Sequence, residues 1–115
     1  MTVKHLLNEL SLTNWTPDAD LEKTITGGYV GDMLSWVMGR AKEGCVWMTI
    51  MSNHNVAAVA LMADVACVVL TEDVKPDESL LKQAQFRKIP LFTSPLSSYE
   101  FSCKLSRLLD LNSAQ

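Results

Sequence analysis

Small polar side chains stand directly behind three apolar runs of this sequence, and they are the groups best placed to do chemistry. Ser52, Asn53, His54 and Asn55 follow the run at 46–51, Thr71 follows 66–70, and Thr93 and Ser94 follow 89–92. In open α/β sheets, ligands bind outside the carboxyl ends of the strands, where helix N-termini present free N–H groups to anions. If the three runs are parallel strands, these residues share that edge. The same residue types also cap helices and fill turns. Thr26-Gly27-Gly28-Tyr29 is the most distinctive short stretch. Paired glycines beside an extended segment let a ligand or another backbone come close, or simply build a tight bend. Asp32 follows within reach of capping the next helix or accepting a bond from a ligand hydroxyl.

Other chemistries are missing. The G-x-x-x-x-G-K-[ST] and G-x-G-x-x-G phosphate cradles are absent, as is a G-x-S-x-G nucleophile elbow. His5 and His54 are the two histidines, and without clustered carboxylates they assemble neither a metal cage nor a triad. Histidine is the side chain suited to acid–base work near neutral pH, and His54, if it met Asp32 across one pocket, could do such work on a phosphorylated substrate. A single histidine at the start of a helix is more often a structural donor. Cys45, Cys67 and Cys103 are far apart and form no C-x-x-C pair, so they read as buried thiols in a reducing compartment. No catalytic residue, metal ligand or cofactor is assigned.

The elements that must position these groups follow from periodicity. Val3, Leu6, Leu7 and Leu10 repeat on one helical face, with Thr2 as a fair N-cap. Pro17, Asp18 and Asp20 mark a loop, with a short strand near Trp15. Tyr29 and Val30 read as extended. Leu34, Val37, Met38 and Ala41 form a second helical stripe, and Gly44 suits its C-terminal cap. The apolar runs read as strands buried on both faces, as in a parallel sheet covered by helices. Helices are expected at 56–63, 79–88 and 98–109, the last with Phe101, Leu105 and Leu108 on one face and a Ser97/Glu100 capping box. Pro90 suggests that the last strand lies at an edge. This alternation predicts a three-layer α/β/α fold with a mostly parallel sheet of four to five strands. Trp36, Trp47 and Met48 fit either core or pocket; Trp36 neighbours the buried stripe and is a candidate dimer contact.

With 115 residues and ordinary globular composition, residues 1–115 read as one domain. A net charge of -3, with ten basic residues spread singly, argues against nucleic acid. Residues 1–10 carry Lys4, His5 and Glu9 and form no signal-peptide core. No apolar run approaches membrane-spanning length. A cytoplasmic protein is expected.

Across Ile25-Thr26-Gly27-Gly28-Tyr29-Val30-Gly31-Asp32-Met33-Leu34-Ser35 the sequence resembles the DRTGG domain family. The likeness continues through Val37-Met38, Ala41-Lys42-Glu43-Gly44 and Val46-Trp47-Met48-Thr49-Ile50, then Asn55-Val56-Ala57-Ala58-Val59-Ala60 and Thr93-Ser94-Pro95. Glu22-Lys23 stands where the family name has Asp-Arg; charge is kept, but lysine lacks the planar fork of arginine. DRTGG domains are similar to the N-terminal, non-catalytic domain of HPr kinase/phosphorylase. They also occur within some phosphotransacetylases and between paired CBS domains in certain pyrophosphatases. The resemblance implies that fold, and a regulatory or dimer-forming element in place of an enzyme.

The reading that ranks first is a homodimeric sensor binding a small anionic ligand, such as an adenine nucleotide, at the carboxyl edge of the sheet. Thr26, Gly27, Gly28, Tyr29, Asp32, Ser52, Asn53, His54, Asn55, Thr71, Thr93 and Ser94 are its candidate site residues. A close second is an interaction module whose face, including Trp36 and neighbouring Met residues, mediates dimerisation or docks a catalytic partner, with no small ligand. The acid–base enzyme ranks third.

Overall fold

A computed structural model of the chain describes residues 1–113. Continuous apolar strands need cover on both faces, and the sheet is built around two of them. In chain order the elements are α1 (Val3–Glu9), β1 (Thr13–Asn14), β2 (Gly27–Val30), α2 (Leu34–Arg40), β3 (Cys45–Thr49), α3 (Asn55–Ala63), β4 (Cys67–Leu70), α4 (Glu78–Arg87), β5 (Leu91–Thr93) and α5 (Ser98–Ser113). Every residue of β3 and β4 is buried. The strand order is β1-β5-β4-β3-β2, with β2 to β5 parallel and β1 antiparallel to β5.

Alternation along the central strands sorts the core into two layers. Trp47, Val68 and Leu70 face α2, α3 and α4, meeting Val37, Val56, Ala60, Leu80 and Ala84. Val46, Met48, Cys67 and Val69 face α1 and α5, meeting Val3, Leu6, Phe101 and Leu105. The fold is thus three-layer α/β/α with a five-stranded, mostly parallel sheet. No described helix is long and apolar enough to cross a membrane.

Helix ends follow their caps. Thr2 accepts from His5 N–H at 3.2 Å, and Ser97 accepts from Glu100 N–H at 3.1 Å while donating to the Glu100 carboxylate. Two expectations fail for physical reasons. The last strand, β5, is interior: β1 pairs along its outer side, and Pro90 stands just before the paired residues, where its carbonyl accepts from Val68 N–H at 2.9 Å. Gly44 is not the cap of α2, which ends at Arg40 with Ala41 as its cap. The left-handed φ of Gly44, 80°, turns the chain into β3 instead.

Cys45 and Cys67 are buried, whereas Cys103 is exposed on α5, which corrects the reading of that thiol. Burial pushes the Cys45 thiol pKa up, and pushes that of Cys67 further. A disulfide-exchange reagent should modify Cys103 in the folded protein and reach Cys45 and Cys67 only on unfolding. Rapid modification of Cys67 in the native state would contradict this packing.

Asp77 caps α4, accepting from Leu80 N–H at 2.9 Å and from the Ser79 hydroxyl at 2.8 Å. Those bonds hold its carboxyl below the ordinary carboxylate value, the Leu80 N–H contributing most. A pKa depressed in the folded state adds stability above the unfolded value, and that stability is lost as pH falls through the folded one. Asp77→Asn keeps an acceptor without the titration, so its melting temperature should fall less steeply in that acid range. An acid limb identical to the wild type counts against the assignment.

Candidate functional site

The carboxyl ends of the parallel strands are joined by side chains. Trp47, fully buried on β3, donates its indole N–H to Gly31 O at 2.9 Å just beyond β2. One carboxylate oxygen of Asp32 accepts from the Thr49 hydroxyl at 2.8 Å and from Ile50 N–H at 2.9 Å. Asp32 therefore ties the end of β2 to the end of β3 and does not cap α2, whose N-cap, Met33, makes no side-chain bond.

The other residues of this edge stand where the sequence puts them, but most are committed to the fold. Asn53 accepts from Asn55 N–H at 2.9 Å at the start of α3. The hydroxyls of Thr71 and Ser98 share a bond of 2.6 Å. Thr93 accepts from the Trp15 indole at 3.0 Å, and Ser94 accepts from Leu96 N–H at 3.2 Å. Thr71, Thr93 and Ser94 are buried. Ser52 is half-buried, and its carbonyl accepts from Asp77 N–H at 3.1 Å. The first N–H of α5, on Ser98, is taken by the Glu72 carboxylate at 2.7 Å, so the chain supplies its own anion there. Asp32, Glu72, Asp73 and Asp77 give this edge an acidic field, and its lysine, Lys75, is paired with Asp73 at 2.8 Å. That field repels anions.

His54 is exposed at the start of α3, with no side-chain capping bond. It lies on the side of Asp77, while Asp32 is held by Thr49 and Ile50. No bond between described residues joins the two as an acid–base pair. Among the described residues, no group of three or more His, Cys, Asp or Glu could hold a metal ion.

Thr26 and Gly27 lie at the opposite end of the sheet, because β2 runs parallel to β3 and Gly27 registers with Cys45, the first residue of β3. Thr26 donates its N–H to Gly44 O at 2.9 Å and its hydroxyl to Glu43 O at 2.8 Å. Here α2 has returned from the carboxyl edge and brings Arg40 and Lys42 beside the strand. Together with Thr26, Gly27, Gly28 and Tyr29 they border an open cleft of about 520 Å³, with Glu43 and Cys45 on its wall. The Arg40 guanidinium lies 3.9 Å from the centre of the exposed Trp36 ring. The candidate residues thus divide between two ends of the sheet and cannot surround one ligand. Sequence reasoning missed Arg40 and Lys42; their signal is one cation ending a helix and a second two residues on, where the crossover must end near the glycine pair. Glu22 and Lys23 are exposed, and Lys23 O accepts from Val3 N–H at 3.0 Å.

The family described as HPr Serine kinase N terminus matches residues 50–109, more than half of the chain. The chain belongs to that family and is a DRTGG-like domain. Its fold is similar to a crystal structure of the CBS and DRTGG domains of the regulatory region of Clostridium perfringens pyrophosphatase, complexed with its activator diadenosine tetraphosphate. The TM-score is 0.67 at 16% identity, over 90% of this chain and 45% of that one. This chain therefore spans less than half the length of that neighbour. No curated protein matches.

Asp32→Ala strips a partner from the buried Thr49 hydroxyl and from Ile50 N–H, and should cost about 1–3 kcal/mol. Calorimetry should show a melting point lower by several degrees, and an unchanged one would deny Asp32 its role as the tie.

Proposed function

We propose that this domain is a non-catalytic regulatory module, homodimeric and acting in the cytoplasm, that binds a small anionic ligand of the nucleotide class. We place the ligand in the cleft bordered by Gly27, Tyr29, Arg40 and Lys42, not at the carboxyl edge of the sheet. The observation carrying this reading is the placement of charge. Two cations from the end of α2 meet an open cleft at one end of the sheet, while the other end is acidic and its α5 N–H is already occupied. Arginine and lysine are the side chains that hold phosphate oxygens. The neighbouring pyrophosphatase region takes diadenosine tetraphosphate as an activator, which supports regulation by a nucleotide. For regulation, the ligand must favour one state of the module over another. The whole of residues 1–115 acts as one such unit, without nucleic acid or membrane.

A second reading is a docking module without a small ligand. It draws on Met33 and Trp36, 58% and 51% exposed, which place a pair of large apolar side chains on one surface.

A thermal-shift panel of nucleotides and phosphorylated metabolites separates the two. Binding to the native state alone adds about 2.7 kcal/mol at a hundredfold excess over Kd, a rise of several degrees in this size range. The rise should vanish in an Arg40→Ala/Lys42→Ala variant and persist in Asn55→Ala. A flat panel at millimolar ligand overturns the nucleotide reading and favours docking. Loss in Asn55→Ala alone moves the site to the carboxyl edge.

A further inference from the structure

We infer that two copies of this chain join by antiparallel pairing of their β2 edges, centred on Tyr29. The inference rests on the homodimeric part of the reading above and specifies its interface. β2 is the terminal strand of the sheet. Gly31 N–H donates to Met48 O at 3.1 Å, and Thr71 N–H donates to Thr49 O at 3.2 Å from the far side of β3. With the two-residue alternation of a strand, Gly27 and Tyr29 turn their backbone groups toward β3, while Gly28 and Val30 turn theirs outward. Met1 O accepts from Ile25 N–H at 2.8 Å, so the N-terminal segment covers the edge as far as Ile25, and among the described residues no hydrogen bond from outside the sheet closes the edge at Gly28 and Val30.

Natural edge strands are guarded by lysine, proline, bulges or shortness. The other edge, β1, is two residues long. β2 reads Gly-Gly-Tyr-Val, with no charge and no proline. A second copy fits this edge better than an arbitrary peptide because the pairing is self-complementary. Centring it on Tyr29 sets Gly28 opposite the partner's Val30 and Val30 opposite the partner's Gly28, so all four outward backbone groups of each strand find partners. The result is a closed two-fold contact that leaves no further open edge at β2.

Side chains agree with that register. Val30, 48% exposed, enters the partner's groove over Gly28, a space of about 320 Å³ walled by Met48, Leu105 and Leu109. Gly27 lies opposite the partner's Gly31, and Gly31 is covered by the ring of Tyr29, which comes within 2.7 Å of where a Cβ would stand. A Cβ on Gly27 meets no atom of the described residues within 4 Å. The partner's Tyr29 accounts for the missing side chain and also walls the basic cleft.

The test uses the full chain. Sedimentation from micromolar to millimolar concentration should give a two-chain mass for wild type and a one-chain mass for Val30→Lys and Val30→Pro. Proline at this position removes an outward N–H and no bond to β3. Circular dichroism and melting confirm that both variants remain folded. If either fails to fold, hydrogen exchange on the wild type decides: Gly28 and Val30 amides should be protected in the dimer and lose protection on dilution. A wild-type dimer that survives Val30→Lys, or whose Gly28 and Val30 amides exchange freely, overturns the β2 contact while leaving a homodimer. Loss of the dimer in Trp36→Ala but not in Val30→Lys places the interface on α2 and overturns it as well. A wild type that sediments as one chain throughout overturns both the contact and the homodimer.

Discussion

The pairing of β2 with β3 is the constraint on which both ends of the molecule depend. β2 has one strand neighbour, so its position is fixed by the ladder to β3 and by the two side chains that close its end, Trp47 on Gly31 and Asp32 on Thr49 and Ile50. Trp47 can reach Gly31 because it is locked in the layer beneath α2 and α3, and Asp32 finds Thr49 because the parallel register sets the strand ends level. Once β2 is held, the crossover through α2 returns Arg40 and Lys42 to its beginning, and its outer edge faces away from every other strand.

The two ends of the sheet then carry different electrostatics. At the carboxyl end, carboxylates and hydroxyls are spent on the chain's own N–H groups: Glu72 on Ser98, Asp77 on Leu80, Asp32 on Ile50. Each such bond replaces water in holding a polar group near the core, so its main product is order. At the amino end, Arg40 leans on Trp36 while Lys42 borders open space.

Much of the fold was legible because its cause is local. Cys45–Thr49 and Cys67–Leu70 read as doubly buried strands from unbroken apolar residues. Thr2, Ser97 and the helical spacing of Val3, Leu6 and Leu7 in α1 carry their signals within a few positions. The interior place of β5 was not legible, because it depends on Trp15 and Thr16, which reach Thr93 and Leu91 across more than seventy residues. The same limit governs the site. The polar row at 52–55, 71 and 93–94 could be located from sequence, since strand ends can, but its commitment to Ser98, Trp15 and Asp77 could not. The cleft stayed hidden because it joins Gly27 to Arg40 and Lys42 through topology.

Amide-resolved NMR titration with tripolyphosphate and an adenine nucleotide tests the central claim, that recognition lies at the amino end of β2. Shifts should saturate and concentrate on Thr26, Gly27, Tyr29, Arg40 and Lys42, with Ser52 to Asn55, Thr71 and Ser94 unmoved. Saturating shifts at Asn53, Asn55 and Thr71 with a silent cleft would contradict it.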